Sequence, residues 1–239
     1  MTTIIEQNRQ KEPQEINGSY LTLEGKKLVV GMLRLGAIRF GDFKWTYHNA
    51  YPNAPLAPMY FELRMIRRDS TIRNLPVDIL QDKLVQVGFN MVADVPTAIT
   101  PTVAVLAERL RAGMVSPRME PKKKGSSALV DGFLPEDKGK TVVLIDDVLS
   151  RGDSKLVLAE NLKKVGAVVK DIVILMDYEI GGRSILEKSG YIVHSSFTAK
   201  LMLDYFYSIG KIDKEEYERT LNRLLQMANF FEGIDREAS

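Results

Sequence analysis

Residues 141–154 read Thr-Val-Val-Leu-Ile-Asp-Asp-Val-Leu-Ser-Arg-Gly-Asp-Ser. Four apolar residues, Val142 to Ile145, run into paired acids, Asp146 and Asp147. A short loop with Gly152 follows, then an amphipathic stretch from Lys155 to Lys164 that ends at Gly166. The pattern is a buried strand, a turn and a helix. In an open α/β sheet the ligand binds outside the carboxyl end of a strand, at such a junction. Two acids there suit sugar hydroxyls or a hydrated metal, and loop amides at a helix start suit a phosphate. The competing reading is a buried strand with an acidic end and an ordinary turn. It would leave two carboxylates beside a strand end without partners.

The rest of the chain sets bounds on that reading. It has 239 residues, 45% of them hydrophobic, enough for one large domain or a domain with appendages. The net charge is +2, with acids and bases mixed along the chain. No basic stripe points to nucleic acid, so the expected anionic partner is a small phosphate compound. The absence of cysteine excludes disulfides and thiolate metal sites and fits a reducing compartment. The two histidines, His48 and His194, are far apart and make no zinc motif. No apolar run has spanning length, and the first residues show no basic start followed by an apolar core. The expectation is a cytoplasmic protein that does not engage membranes.

Working outward, residues 1–24 are expected to be a tail or lead-in. Residues 25–35 carry Leu28, Val29, Met32, Leu33 and Leu35 on one helical face, closed by Gly36. Residues 41–58, with three prolines, are expected to be a loop. Strands are expected at 59–63, 89–95, 114–119, 128–133, 141–145, 168–176 and 191–195. Helices are expected at 76–88, 100–112, 155–164, 183–188, 198–209 and 213–231, the last with Asp213 as N-cap. Residues 120–127 form a basic, Gly-containing loop. Alternating strands and helices with continuous apolar strands predict an α/β fold with a central parallel sheet flanked by helices.

The 141–154 motif resembles the signature of the type I phosphoribosyltransferases, which bind phosphoribosyl pyrophosphate (PRPP). Further stretches, in the right order, are similar to the orotate phosphoribosyltransferases. They are 35–43, the Pro58-Met59-Tyr60-Phe61 stretch, the Ala93-Asp94-Val95-Pro96-Thr97-Ala98 loop, the Arg118-to-Gly125 loop, and Gly181-Gly182 followed by 190–195. The resemblance implies a core domain over 25–210, with a small hood from about 25–65 and 191–210, a mobile lid loop, and a C-terminal helix and tail over 211–239. It implies PRPP binding by Asp146, Asp147, Val148, Leu149, Ser150, Arg151, Gly152, Asp153, Ser154, Arg118, Lys122, Lys124 and Thr97. The acids would hold the ribose, with Lys122 joining them as a catalytic residue from the lid. Tyr60, Phe61, Ser150 and Tyr178 would line the base site.

The implied reaction is phosphoribosyl transfer from PRPP to orotate, giving orotidine 5′-monophosphate and pyrophosphate in pyrimidine biosynthesis. Magnesium is the implied cofactor, held mainly through PRPP and water and not by protein ligands. A homodimer sharing its lids is also implied. The sequence departs from the family pattern at Met119, Lys124, Asp153 and Tyr178, and Thr46 falls where a base-site lysine is usual, though Lys44 is close to it. Those departures leave open a related transferase using another base, or a non-catalytic PRPP sensor.

Overall fold

The structure, a computed structural model, describes residues 20–121 and 128–237. The chain begins with α1 (Leu23–Arg34), capped by the Thr22 hydroxyl, which accepts the Gly25 N–H at 2.9 Å. β1 (Ile38–Phe43) and β2 (Ala57–Phe61) form an antiparallel hairpin joined by a long connection that holds a 3-10 turn at Thr46–Asn49. A second 3-10 segment, Leu63–Arg68, leads into α2 (Leu75–Leu84). Next come β3 (Met91–Asp94), α3 (Thr100–Leu110), β4 (Gly113–Pro117) and the two-residue β5 (Val130–Asp131). β6 (Val142–Leu149), α4 (Asp153–Lys164), β7 (Asp171–Asp177), α5 (Gly182–Lys188) and β8 (Ile192–Thr198) follow. α6 (Ala199–Ser208) and α7 (Lys214–Glu237) close the chain.

The main sheet has the order β5-β4-β3-β6-β7-β8, parallel throughout except for the β4–β5 edge. Its central strands are buried on both faces, which is why they are continuously apolar. Alternation decides which core each residue enters. Val142 and Leu144 pack with Leu158, Ala159 and Leu162 of α4, whereas Val143 and Ile145 pack on the opposite face, in the core that reaches the hairpin and α1. Each such fully buried Val or Ile contributes about 1.5–3 kcal/mol. The same alternation assigns Asp146 to the α4 face and Asp147 to the hairpin face.

Several expectations are corrected. β6 does not stop at 145. Backbone pairing to β7 carries it through both acids to Leu149, so the acids lie within the strand. β1 occupies residues that were assigned partly to a loop. Its alternation is real, but Gly41, at φ 148°, sits in a register shift between Phe40 and Phe43 and interrupts it. The return strand after the basic loop shrinks to β5. Residues 192–198, expected in the hood, are the edge strand of the main sheet. α7 runs to Glu237, six residues beyond the expected end, packs on β2 and buries Met227 and Phe231. Asp213 does cap it, accepting the Glu216 N–H at 2.8 Å, but the Glu216 carboxylate turns to Arg219 and Thr220 and leaves the capping box half made.

Candidate active site

β3 and β6 are neighbours whose connections leave in opposite directions, β3 toward β4 and β6 toward β7. The cleft at their carboxyl ends is therefore the topological switch point. β3 pairs with β6 only as far as Asp94 opposite Ile145. Asp146 to Val148 project past that end and form a wall of the cleft.

On the floor, Gly152 is the N-cap of α4 at φ 87°, a left-handed conformation that glycine takes without strain. No side chain caps this helix, which leaves its leading amides to an anion. Gly182 lets α5 close on the loop from behind, since a Cβ there would lie 2.1 Å from the Ser150 carbonyl oxygen. Asp94 is fully buried and accepts the hydroxyls of Thr100 and Ser116, the latter at 2.5 Å, tying the end of β3 to α3 and β4. Arg67 donates to the Thr97 carbonyl at 2.6 Å and holds the loop after β3.

The two acids have different surroundings. Asp146 forms an ion pair with Lys155 of α4, and both side chains are buried. Asp147 makes no ion pair among the described residues. Burial, and then the neighbouring Asp146 charge, push its carboxyl well above the usual carboxylate range, with Lys155 and Arg64 opposing. Asp146 accepts the Asp147 N–H at 2.8 Å, and Asp147 accepts the Val148 N–H at 3.0 Å. Both acids line a cavity of about 680 Å³ with Arg64, Arg118, Val148 and Ser154.

A second cavity of about 580 Å³ adjoins it, sharing Thr46, Tyr60, Phe61, Met119, Val148 and Ser154 with the first. It continues to Lys44, Trp45, Ser150, Asp153 and Tyr178. Trp45 lies on Tyr178 with ring centroids 4.5 Å apart. Tyr178 is buried, and its hydroxyl accepts the Phe61 N–H at 3.1 Å. Desolvation raises that phenol well above its ordinary value. The ring therefore closes this wall as a neutral group.

Most of the sequence-derived candidates converge here, with differences. Asp146, Asp147, Val148, Ser150, Arg151, Gly152, Asp153, Ser154, Arg118, Tyr60, Phe61 and Tyr178 all line one cavity or both. Leu149 does not, for its side chain is in the core. Thr97 is exposed and offers its carbonyl to Arg67. Arg151, expected to bind PRPP, is buried and engages Asp235 of α7 through two hydrogen bonds, at 2.7 and 3.0 Å, under the Phe231 ring. Arg118 pairs with Asp131, and Asn161 of α4 donates to its carbonyl at 2.8 Å. Lys122 and Lys124 lie outside the described residues. His194 bonds Asp171 at 2.7 Å, at the amino end of β7, as a structural residue would.

Lys155, Arg64, Arg67 and Trp45 were missed. Lys155 alone left a readable signal. It heads the stripe Lys155, Leu158, Ala159, Leu162, a helical spacing in which the first residue must also face inward. Among the described residues no group of three or more His, Cys, Asp or Glu is placed to hold a metal ion. Asp146 is already engaged by Lys155.

A central, mostly parallel sheet flanked by helices, a separate hairpin, and an acidic strand end running into an uncapped helix define the type I phosphoribosyltransferase fold. No family model matches the chain. Among curated proteins it is 31% identical over 201 residues to the uridine 5′-monophosphate synthase of Bos taurus, covering 83% of this chain and 40% of that one. It is 27% identical over 200 residues to the orotate phosphoribosyltransferase of Pyrobaculum islandicum, covering 83% and 98%. The solved orotate phosphoribosyltransferase of Aeropyrum pernix superposes with a TM-score of 0.63 at 26% identity, over 75% of this chain and 98% of that one. The chain thus spans about two-fifths of the bovine relative and nearly all of the two archaeal ones. Within its fold class, the chain is a divergent member of the orotate phosphoribosyltransferase type.

Proposed function

We propose that the chain transfers the phosphoribosyl group of PRPP to orotate, forming orotidine 5′-monophosphate and pyrophosphate. The observation that carries the reading is the Asp146–Asp147 pair at the cleft edge, one turn before the uncapped start of α4. A ring nitrogen of the base attacks the anomeric carbon and gives up its proton to water. The bond from that carbon to the pyrophosphate oxygen breaks, and its electron pair leaves with the pyrophosphate. Positive charge develops on the sugar, whose hydroxyls Asp146 and Asp147 orient. The amides from Gly152 onward receive the 5′-phosphate. Arg118 and the lid lysines would receive the pyrophosphate. Magnesium enters as part of the substrate, Mg-PRPP. A homodimer in which each lid reaches the neighbouring cleft, acting in the cytoplasm, completes the proposal. No helix among the described residues is long and apolar enough to cross a membrane.

One observation favours a second reading, transfer to a different base. The buried Tyr178 supplies no positive charge for the orotate carboxylate, and charged hydrogen bonds are the strong ones. Pyrophosphate release from Mg-PRPP, measured with orotate, a panel of other bases and a no-base control, decides. Release with orotate alone supports the first reading. Release with another base moves the specificity. No release with any base sinks both and leaves a PRPP sensor.

A further inference from the structure

We propose that Lys155 is a built-in cation of the sugar-phosphate site, taking up the charge of Asp146 so that a phosphorylated ribose binds there without a divalent ion. The inference rests on the reading of the cleft as a phosphoribosyl site.

Three observations support it. The Lys155 side chain is 6% exposed and that of Asp146 5%, so the pair is withdrawn from bulk water yet lines the cavity. Lys155 heads the buried stripe of α4 on the sheet face that carries Val142, Leu144 and Asp146. An apolar side chain would fill that position at no desolvation cost, and replacing a buried ion pair by packed apolar residues is often neutral or stabilising. Packing alone therefore does not account for a lysine here. The third observation is the charge around it. The cavity is lined by Asp146, Asp147, Glu62 and Glu120 against Arg64, Arg118 and Lys155, and Arg64 is paired with Glu62 at 3.0 Å. Without Lys155, a phosphorylated sugar would meet the unpaired Asp146 carboxylate beside the Asp147 carboxyl, and among the described residues Arg118 alone of the cavity's cations is uncommitted to another group lining it, although it pairs with Asp131. With it, Asp146 is neutralised in place and keeps its free lone pairs for a ribose hydroxyl.

The test uses the full chain and ribose 5-phosphate, an anion that needs no metal for its own stability, in calorimetric titrations with EDTA or with magnesium. Wild type is expected to bind in EDTA. Lys155→Gln is expected to bind about tenfold or more weakly in EDTA, the scale of one charge-assisted hydrogen bond, and to recover most of that loss in magnesium. Lys155→Arg should resemble wild type. Equal affinity of wild type and Lys155→Gln in EDTA overturns the proposal. A loss that magnesium does not relieve also overturns it and leaves a purely structural ion pair. Wild type that binds neither ribose 5-phosphate nor PRPP refutes instead the function proposed above.

Lys155→Gln leaves Asp146 buried without its cation and costs stability, so wild type supplies a second reading. In the ¹⁵N-lysine-labelled chain the protected ammonium resonance absent from Lys155→Arg is followed on adding ribose 5-phosphate in EDTA. A shift on saturation is expected, and an unchanged resonance overturns the proposal.

Discussion

The sugar-phosphate side of the cleft is made of backbone and charge: an uncapped helix start, a left-handed glycine, two carboxylates and a buried lysine. The base side is made of rings, with Trp45 on Tyr178 beside Tyr60 and Phe61. The first side reaches its geometry through one continuous stretch, residues 142–155, in which strand pairing, turn and helix fix every group relative to the next. The second is assembled from the β1–β2 connection, β2 and the end of β7, which meet only in three dimensions. A surface encoded locally tolerates little change. One encoded across the fold can exchange residues as long as volume and polarity balance, and the departures at Thr46 and Tyr178 fall there, whereas within residues 142–155 the departure is Asp153.

The largest effect that would break this contrast is at Asp147. Replacing it by Asn is expected to cut turnover by about 100- to 1,000-fold, the scale of removing one preorganised electrostatic contact to a transition state. The same change should stabilise the fold at neutral pH. The folded-state pKa of Asp147 lies above its unfolded value near 4. The folded chain therefore holds a proton that the unfolded chain releases, and stability declines as pH rises from about 4 through the folded pKa. Asp147→Asn should raise the melting temperature at pH 7 and flatten that decline. Loss of both activity and stability would mean that Asp147 is a structural anchor.

Tyr178→Phe sharpens the comparison from the other side. It removes the acceptor of the Phe61 N–H and leaves that buried donor unsatisfied, at a cost of about 1–3 kcal/mol. Kinetically it should raise KM for the base while leaving PRPP affinity unchanged. Equal effects on both substrates would show that the two sides are coupled through β2.

How much of this was legible follows the same division. The phosphoribosyl stretch could be read because its chemistry is consecutive in sequence, and the strand, turn and helix expected there all form. Even so, β6 runs four residues further than its apolar run, because backbone pairing with β7 continues past the residues whose side chains signal burial. Lys155 was overlooked because lysine is ordinarily a solvent residue, although its place on the inward stripe contradicted that. On the base side neither the Trp45–Tyr178 contact nor the Tyr178–Phe61 bond could be read. These pairs are more than a hundred residues apart in one chain, and no local pattern links them.

The same limit hid the contact between α7 and the phosphate loop, which yields the smallest expected effect. Arg151 lies in the motif beside Gly152, yet its guanidinium turns away to Asp235 and covers the Phe231 ring with 4.4 Å between centres. Hydrogen bonding to Arg151, and then its charge, hold the Asp235 carboxyl below its usual range, so the contact is complete at neutral pH and is lost as pH falls through that lowered value. The loop is thus steadied from the far end of the chain. Asp235→Asn removes the charge but keeps a hydrogen-bonding side chain, and Arg151 retains its ring contact. The pair is partly exposed, so the stability change should be under about 1 kcal/mol. The consequence lies in loop order, with KM for PRPP rising about threefold at pH 7 and kcat unchanged. In wild type the same rise should appear on acidification, and Asp235→Asn should not share it. If the variant keeps the wild-type KM, α7 contributes packing alone and the loop is held entirely by Gly152, Gly182 and the strand before it.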